Sequence, residues 1–168
     1  MTAPSDQPES LVTRAMIDSR EVWTPPLSSP PISSADIRKW AIAVYWPETP
    51  PRLFWDEGYA KDTRWGGIVA PQEFNPFAWL VDSPPVQNAA GEGRPASGPG
   101  SHTMNGGFTS RFGAPMRPGD VITTSSALVD WNERTTRLGL TLFAFRETRW
   151  LNQRDELVKQ ETRTNIRY

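Results

Sequence analysis

The run Leu138-Gly139-Leu140-Thr141-Leu142-Phe143-Ala144-Phe145 decides the fold. It is apolar at odd and even positions alike. A strand of that kind is covered on both faces and sits in the middle of a sheet. Working outward, residues 137–151 read as one long strand, and Asn132-Glu133-Arg134 before it as a polar hairpin tip. Residues 121–131, rich in Val, Ile, Thr and Ser, supply the preceding strand. Residues 152–155 form the next turn. Residues 157–166 alternate and are more polar, which places them at an edge. The expectation is a meander of three long antiparallel strands. Pro118-Gly119-Asp120 is a turn at its entry, and residues 108–112 are a candidate fourth strand.

Proline distribution supports this assignment. The chain has 168 residues and 17 prolines, all between Pro4 and Pro118, while the last 50 residues have none. Proline cannot donate to a ladder, so its absence suits a sheet. Its frequency is about twice the usual ~5%. Other classes fall away on composition. With 18 basic and 19 acidic residues the net charge is -1, and no basic block suggests nucleic acid. Cysteine is absent, which excludes disulfides and thiolate nucleophiles. No apolar run approaches the ~18 residues that span a bilayer, and residues 1–6 lack the basic and apolar regions of a signal peptide. A cytoplasmic location without membrane contact is expected, as is the absence of a bound metal.

N-terminal to the meander, residues 1–32 read as a flexible or extended segment and residues 33–168 as one domain. Ser33 or Ser34 caps a helix, with Asp36 in its first turn. Ile37, Trp40, Ala41, Val44 and Tyr45 share one face of it, and Pro47 ends it. Residues 46–69 are irregular. A buried helix is predicted within 70–82, opened by Pro71 or by Asn75-Pro76. Residues 83–107 hold six glycines and four prolines and are expected to be a mobile loop.

This order of elements resembles the hot-dog fold, and more narrowly the MaoC-like dehydratases of the FAS1-like, N-terminal type. The residues that carry the resemblance are Ala60, Gly66-Gly67-Ile68-Val69-Ala70-Pro71, Arg117-Pro118-Gly119-Asp120 and Asp155-Glu156-Leu157-Val158. The resemblance implies an α+β fold in which an antiparallel sheet wraps a central helix, here 70–82. It implies that two such units pair with continuous sheets. Thioesters of coenzyme A or acyl carrier protein then enter between them as substrate, with no other cofactor. Catalytic members carry Gly-Asp-x-Asn-Pro-x-His after the first helix. That Asp and His hold the water that is added to, or removed from, the acyl chain, as general acid/base chemistry requires.

This chain departs from the motif. Its histidine slot falls on Phe54 and its aspartate slot near Thr49, beside Glu48. Phenylalanine cannot move a proton. The sole histidine, His102, lies in the Gly/Pro-rich loop. The resemblance is therefore to the non-catalytic half of two-domain members. That implies no catalytic residue here and a partner hot-dog chain that supplies the Asp/His pair. Trp40, Phe54, Trp55, Phe74 and Phe77 are candidates for an acyl pocket, within a wider crowd of aromatics around the two helices. Gly66 and Gly67 are candidates for a thioester-facing turn, or simply allow a tight entry to the helix. Arg111 and Arg117 are candidates to meet coenzyme A phosphates. Two other functions remain open: a homo-oligomeric thioesterase using Asp56 or Glu57, and a non-enzymatic acyl-thioester binding module. Against the first, Asp56 is equally suited to cap a helical turn.

Overall fold

The computed structural model describes residues 10–81 and 95–168. Its elements in chain order are α1 (Arg14–Asp18), β1 (Leu27–Ser28), α2 (Ser34–Tyr45), a 3-10 turn (Arg52–Phe54), α3 (Glu57–Lys61), β2 (Thr103–Phe112), β3 (Thr123–Thr136), β4 (Gly139–Leu151) and β5 (Leu157–Arg167). The strands form one antiparallel sheet in the order β1-β3-β4-β5-β2. The meander is β3-β4-β5, with the apolar run at its centre. The α+β, hot-dog class is borne out.

Four local expectations are corrected. Residues 132–134 are not a hairpin tip but paired strand, with Asn132 opposite Phe143 and Arg134 opposite Thr141. The tip is Arg137-Leu138, where Gly139 takes φ +91°. Glu133 instead ties down the N-terminal arm: its carboxylate accepts from Ser10 Oγ (2.7 Å) and from the Leu11 N–H. Second, β5 is interior, between β4 and β2. Third, β2 begins at Thr103, five residues earlier than expected, so the predicted loop 83–107 ends sooner. The Gly106-Gly107 pair forms a bulge, between Asn105 and Phe108, that keeps the ladder to β5 in step. Residues 1–9 and the loop's residues 83–94 lie outside the described residues.

Fourth, residues 70–81 form successive turns, not a helix. Short bonds run from Phe74 N to Pro71 O (2.9 Å), Ala78 N to Asn75 O (3.2 Å) and Leu80 N to Phe77 O (3.3 Å). Pro76 lacks an N–H and biases Asn75 away from helical angles. The Asn75 side chain then accepts from Phe77 N at 3.0 Å, which fixes a turn. Apolar content alone therefore does not make this segment helical.

The expected first helix is present as α2. Ser33 caps it, accepting from Asp36 N at 3.0 Å. Ile37 and Ala41 are fully buried, and Trp40 and Tyr45 half-buried, but Val44 is exposed, so the apolar face is narrower than predicted. The main core lies against one end of the sheet: Ile32, Ile37, Ala60, Ile68, Phe74, Met116, Ile122 and Val158. Each large aliphatic or aromatic side chain there contributes roughly 1.5–3 kcal/mol. The expected extended N-terminal segment contains α1, whose Met16 joins Leu11, Leu128 and Leu142 in a second cluster on the sheet. Trp23 of the same segment lies under the Arg149 guanidinium at 4.3 Å.

The Arg117-Pro118-Gly119-Asp120 turn joins these parts. The Asp120 carboxylate is buried and accepts from Arg117 N (2.8 Å) and Gln153 Nε2 (2.9 Å). Its backbone carbonyl accepts from Ile32 N (2.9 Å), while Gly119 N donates to Ile32 O (2.8 Å). The turn therefore clamps the residues leading into α2 onto the meander.

Candidate functional site

The segment after α2 is where proton-transfer groups are expected in a catalytic unit. Phe54, at the end of the 3-10 turn, lies 6.0 Å from Tyr45, ring to ring. Glu48 and Thr49 are exposed. Asp56 is the cap of α3: it accepts from Tyr59 N at 3.0 Å and from Arg52 Nη2 at 2.7 Å. The Tyr59 N–H first, and then the Arg52 guanidinium, hold its carboxyl below the ordinary range. It is engaged as a cap rather than poised as a base. Glu57 follows it in the first turn of α3. His102 is part of the sheet edge. Its N–H and carbonyl pair with Tyr168 at 3.0 and 3.1 Å, and the two rings stack at 5.5 Å. No His stands beside a carboxylate in segment 46–69. Among the described residues no cluster of three metal-binding side chains occurs, and no helix is long and apolar enough to cross a membrane.

The candidate pocket residues are distributed over different places. Trp40 lines a groove of about 1070 Å³ on one face of the sheet, and meets Phe74 edge-on at 5.7 Å. Phe74 itself is buried in the core. Phe77 packs edge-on against Trp150 at 5.3 Å. Phe54 lines a second, smaller cavity. Trp55 lines neither, and its Nε1 donates to Pro50 O at 2.9 Å. Gly66 has φ +64°, a left-handed angle that favours glycine, and its N–H is bonded to Thr63 O at 3.0 Å. A Cβ on Gly67 would stand 3.9 Å from the Arg117 guanidinium, so that turn and Arg117 are neighbours. Arg111 is exposed on the edge strand β2, opposite Gln160 of β5. Arg111 and Arg117 thus belong to different elements, the edge strand and the turn that precedes β3.

The groove also contains residues that sequence reading did not select. Across the sheet, Leu128, Arg146, Arg163 and Phe108 lie in one row, and Thr124, Trp150 and Lys159 in another, which Phe112 of the smaller cavity continues. Lys159 is almost buried. Its Nζ lies 2.9 Å from Glu73 and 3.3 Å from Glu161, and sits over Trp150 at 5.3 Å. This ion pair attaches the turns of 70–81 to the sheet. Burial pushes the Glu161 carboxyl up, but Arg163 and Lys159 outweigh it and hold it below the ordinary range. Among the described residues the buried Trp40 Nε1 has no hydrogen-bond partner. The pattern that could have revealed the groove is the alternation Lys159, Glu161, Arg163, Asn165, Arg167, one polar residue at every second position of β5.

The family model for the FAS1-like dehydratase domain region matches residues 23–161. No curated protein sequence matches the chain. Among solved structures, the ChsH1-ChsH2 complex from Mycobacterium tuberculosis contains a similar chain. The TM-score is 0.70 at 18% identity, over 92% of this chain and 89% of that one. The (R)-hydratase from A. caviae involved in PHA biosynthesis aligns with TM-score 0.54 at 17% identity, over 84% and 91%. The C-terminally truncated HadBC (3R-hydroxyacyl-ACP dehydratase) complex from Mycobacterium tuberculosis gives TM-score 0.55 at 19% identity, over 89% and 97%. At these identities the structural likeness establishes the fold.

Proposed function

Because the chain belongs to the FAS1-like dehydratase family, whose model covers residues 23–161, we propose that it is the non-catalytic subunit of a heteromeric (R)-specific enoyl-thioester hydratase or 3-hydroxyacyl-thioester dehydratase. A partner MaoC-like hot-dog chain supplies the Asp/His pair. The observation that carries this reading is the state of the chain's own acid/base groups. Asp56 is engaged as a helix cap and His102 is stacked on Tyr168 at the sheet edge, and the resemblance puts the family's histidine slot on Phe54. Hydration needs an acid and a base within reach of one water, and segment 46–69 offers no such pair.

Two features support the partner. β2 is a terminal strand of the sheet, ten residues long, with Phe108 59% and Met104 41% exposed. A long exposed edge invites another strand, and the edge of a second hot-dog unit would make the sheets continuous. The ChsH1-ChsH2 and HadBC structures are both complexes. In this reading the groove beside Trp40 and Trp150 contributes walls of the acyl chamber. Its volume suits a bulky acyl group, being just above the ~300–1,000 Å³ of ordinary ligand pockets. Arg111 and Arg117 meet the phosphates of coenzyme A, and the Gly66-Gly67 turn shapes the entry.

The test is hydration of crotonyl-CoA and of a polycyclic enoyl-CoA by the purified chain, and by the chain co-expressed with a short hot-dog protein bearing Gly-Asp-x-Asn-Pro-x-His. The expected result is no turnover alone and turnover of the bulky substrate by the complex. Measurable hydration by the lone chain refutes the division of labour. Release of free thiol by the lone chain, abolished by Asp56→Asn, would establish the thioesterase reading instead. Tight acyl-CoA binding without turnover in any complex would leave a binding module.

A further inference from the structure

The smaller cavity shares no lining residue with the groove. It has a volume of about 320 Å³, at the lower end of the ~300–1,000 Å³ of ligand pockets. Its walls come from the 3-10 turn (Leu53, Phe54), the strand-like segment before Pro71 (Val69), the end of β2 (Phe112) and the start of β5 (Val158). These are apolar, and no carboxylate lines the space. The one charged lining residue is Arg64, which is exposed and so stands at the rim. Its guanidinium lies over the Trp65 ring at 4.6 Å and makes no ion pair among the described residues. Stacking on an indole orients a guanidinium without neutralising it. Gly113 at the cavity wall permits the close approach of β5: a Cβ there would stand 2.1 Å from Leu157 O.

An apolar chamber of limited size with one uncompensated cation at its mouth matches one ligand shape, a short aliphatic chain ending in an anion. We propose that this cavity binds a medium-chain monocarboxylic acid, with the hydrocarbon against Phe54, Val69, Phe112 and Val158 and the carboxylate at Arg64. The site binds without reacting: no nucleophile or acid/base pair lines it. The inference does not depend on the hydratase reading, since every residue that lines the cavity, Phe112 of β2 included, belongs to this chain and none is assigned a catalytic role.

The experiment is titration of the full chain with octanoate, 1-octanol and octanoyl-CoA, followed by calorimetry and by methyl shifts of Val69 and Val158. Octanoate should bind saturably at one site. Arg64→Glu, a surface change that leaves the fold intact, should weaken octanoate about fivefold or more, because attraction becomes repulsion at an exposed pair. The same substitution should leave octanol unchanged. A second variant, Ala114→Met on the cavity wall, should weaken octanoate and octanol together. Absence of saturable octanoate binding, or octanoate affinity unmoved by Arg64→Glu, overturns the proposal. Octanoyl-CoA binding tenfold tighter than octanoate, and competing with it, overturns the assignment to a free acid.

Discussion

Replacing Asp120 by alanine tests how the fold is held around its candidate site. The carboxylate is 3% exposed and accepts two close hydrogen bonds, at 2.8 Å from Arg117 N and 2.9 Å from Gln153 Nε2. Arg154 stands farther off at 3.7 Å. A hydrogen bond to a charged group contributes about 1.5–3 kcal/mol, so two give about 3–6. Two effects offset part of this. The mutant no longer buries a carboxylate, and the Gln153 amide can turn toward water. The lower end, about 3 kcal/mol, is therefore expected. In a domain of this size that corresponds to a fall in Tm of about 6–12 °C. Asp120→Asn keeps the shape and one acceptor, and should lose about half as much. Urea unfolding should show a lower midpoint with unchanged slope, because the surface exposed on unfolding is the same. A loss under about 1 kcal/mol for Asp120→Ala would refute the clamp, since even a single lost bond to a charged group exceeds that.

Three further outcomes follow from particular contacts. Asp56, Glu156 and Glu161 all have carboxyl pKa values held below their ordinary 3.8 and 4.5. Groups depressed in the folded state contribute stability above the unfolded value and lose it as pH falls, so unfolding midpoints should be level from pH 7 to about 5 and drop below that. Glu161→Gln should make that drop shallower. Gly113→Ala forces a Cβ to within 2.1 Å of the Leu157 carbonyl oxygen, a backbone atom that cannot move aside, and should cost about 3 kcal/mol in urea unfolding. Phe108→Asp puts a charge on the exposed edge strand. It should abolish co-purification with the catalytic partner while leaving the lone chain's midpoint within about 0.5 kcal/mol, as surface changes generally do.

The sheet was legible in the sequence because its signals are local and strong. An apolar run at 138–145 marks the central strand, and the proline-free tail contains all of the meander. The capped helix was legible for the same reason: Ser33, Asp36 and the spacing of Ile37, Trp40 and Ala41 agree. What was not legible depends on contacts distant in sequence. Glu133 looks like turn material until Ser10 and Leu11 are seen to bond it. Phe74 and Phe77 suggested a buried helix, but Pro76 and the Asn75 side chain favour turns, and the Lys159–Glu73 ion pair secures them. The polar alternation of β5 suggests an edge strand. The strand is interior instead, because β2 begins as early as Thr103 and pairs along it, and the alternate polar side chains of β5 line the charged groove. The candidate site suffers most from this. Of the five aromatics expected to line one acyl pocket only Phe74 is buried, and the fold sends Trp40 to the groove, Phe54 to the small cavity and Phe74 to the core.

The central claim is that the chemistry belongs to another chain. The most direct measurement is kcat for hydration by the assembled complex in which Glu48→Gln, Asp56→Asn and His102→Ala are combined in this subunit. The account predicts a kcat within about twofold of the unmodified complex, because none of these groups transfers a proton, while replacing the partner's motif histidine abolishes turnover. A fall of a hundredfold or more in the triple variant, with the complex still assembled, would contradict it.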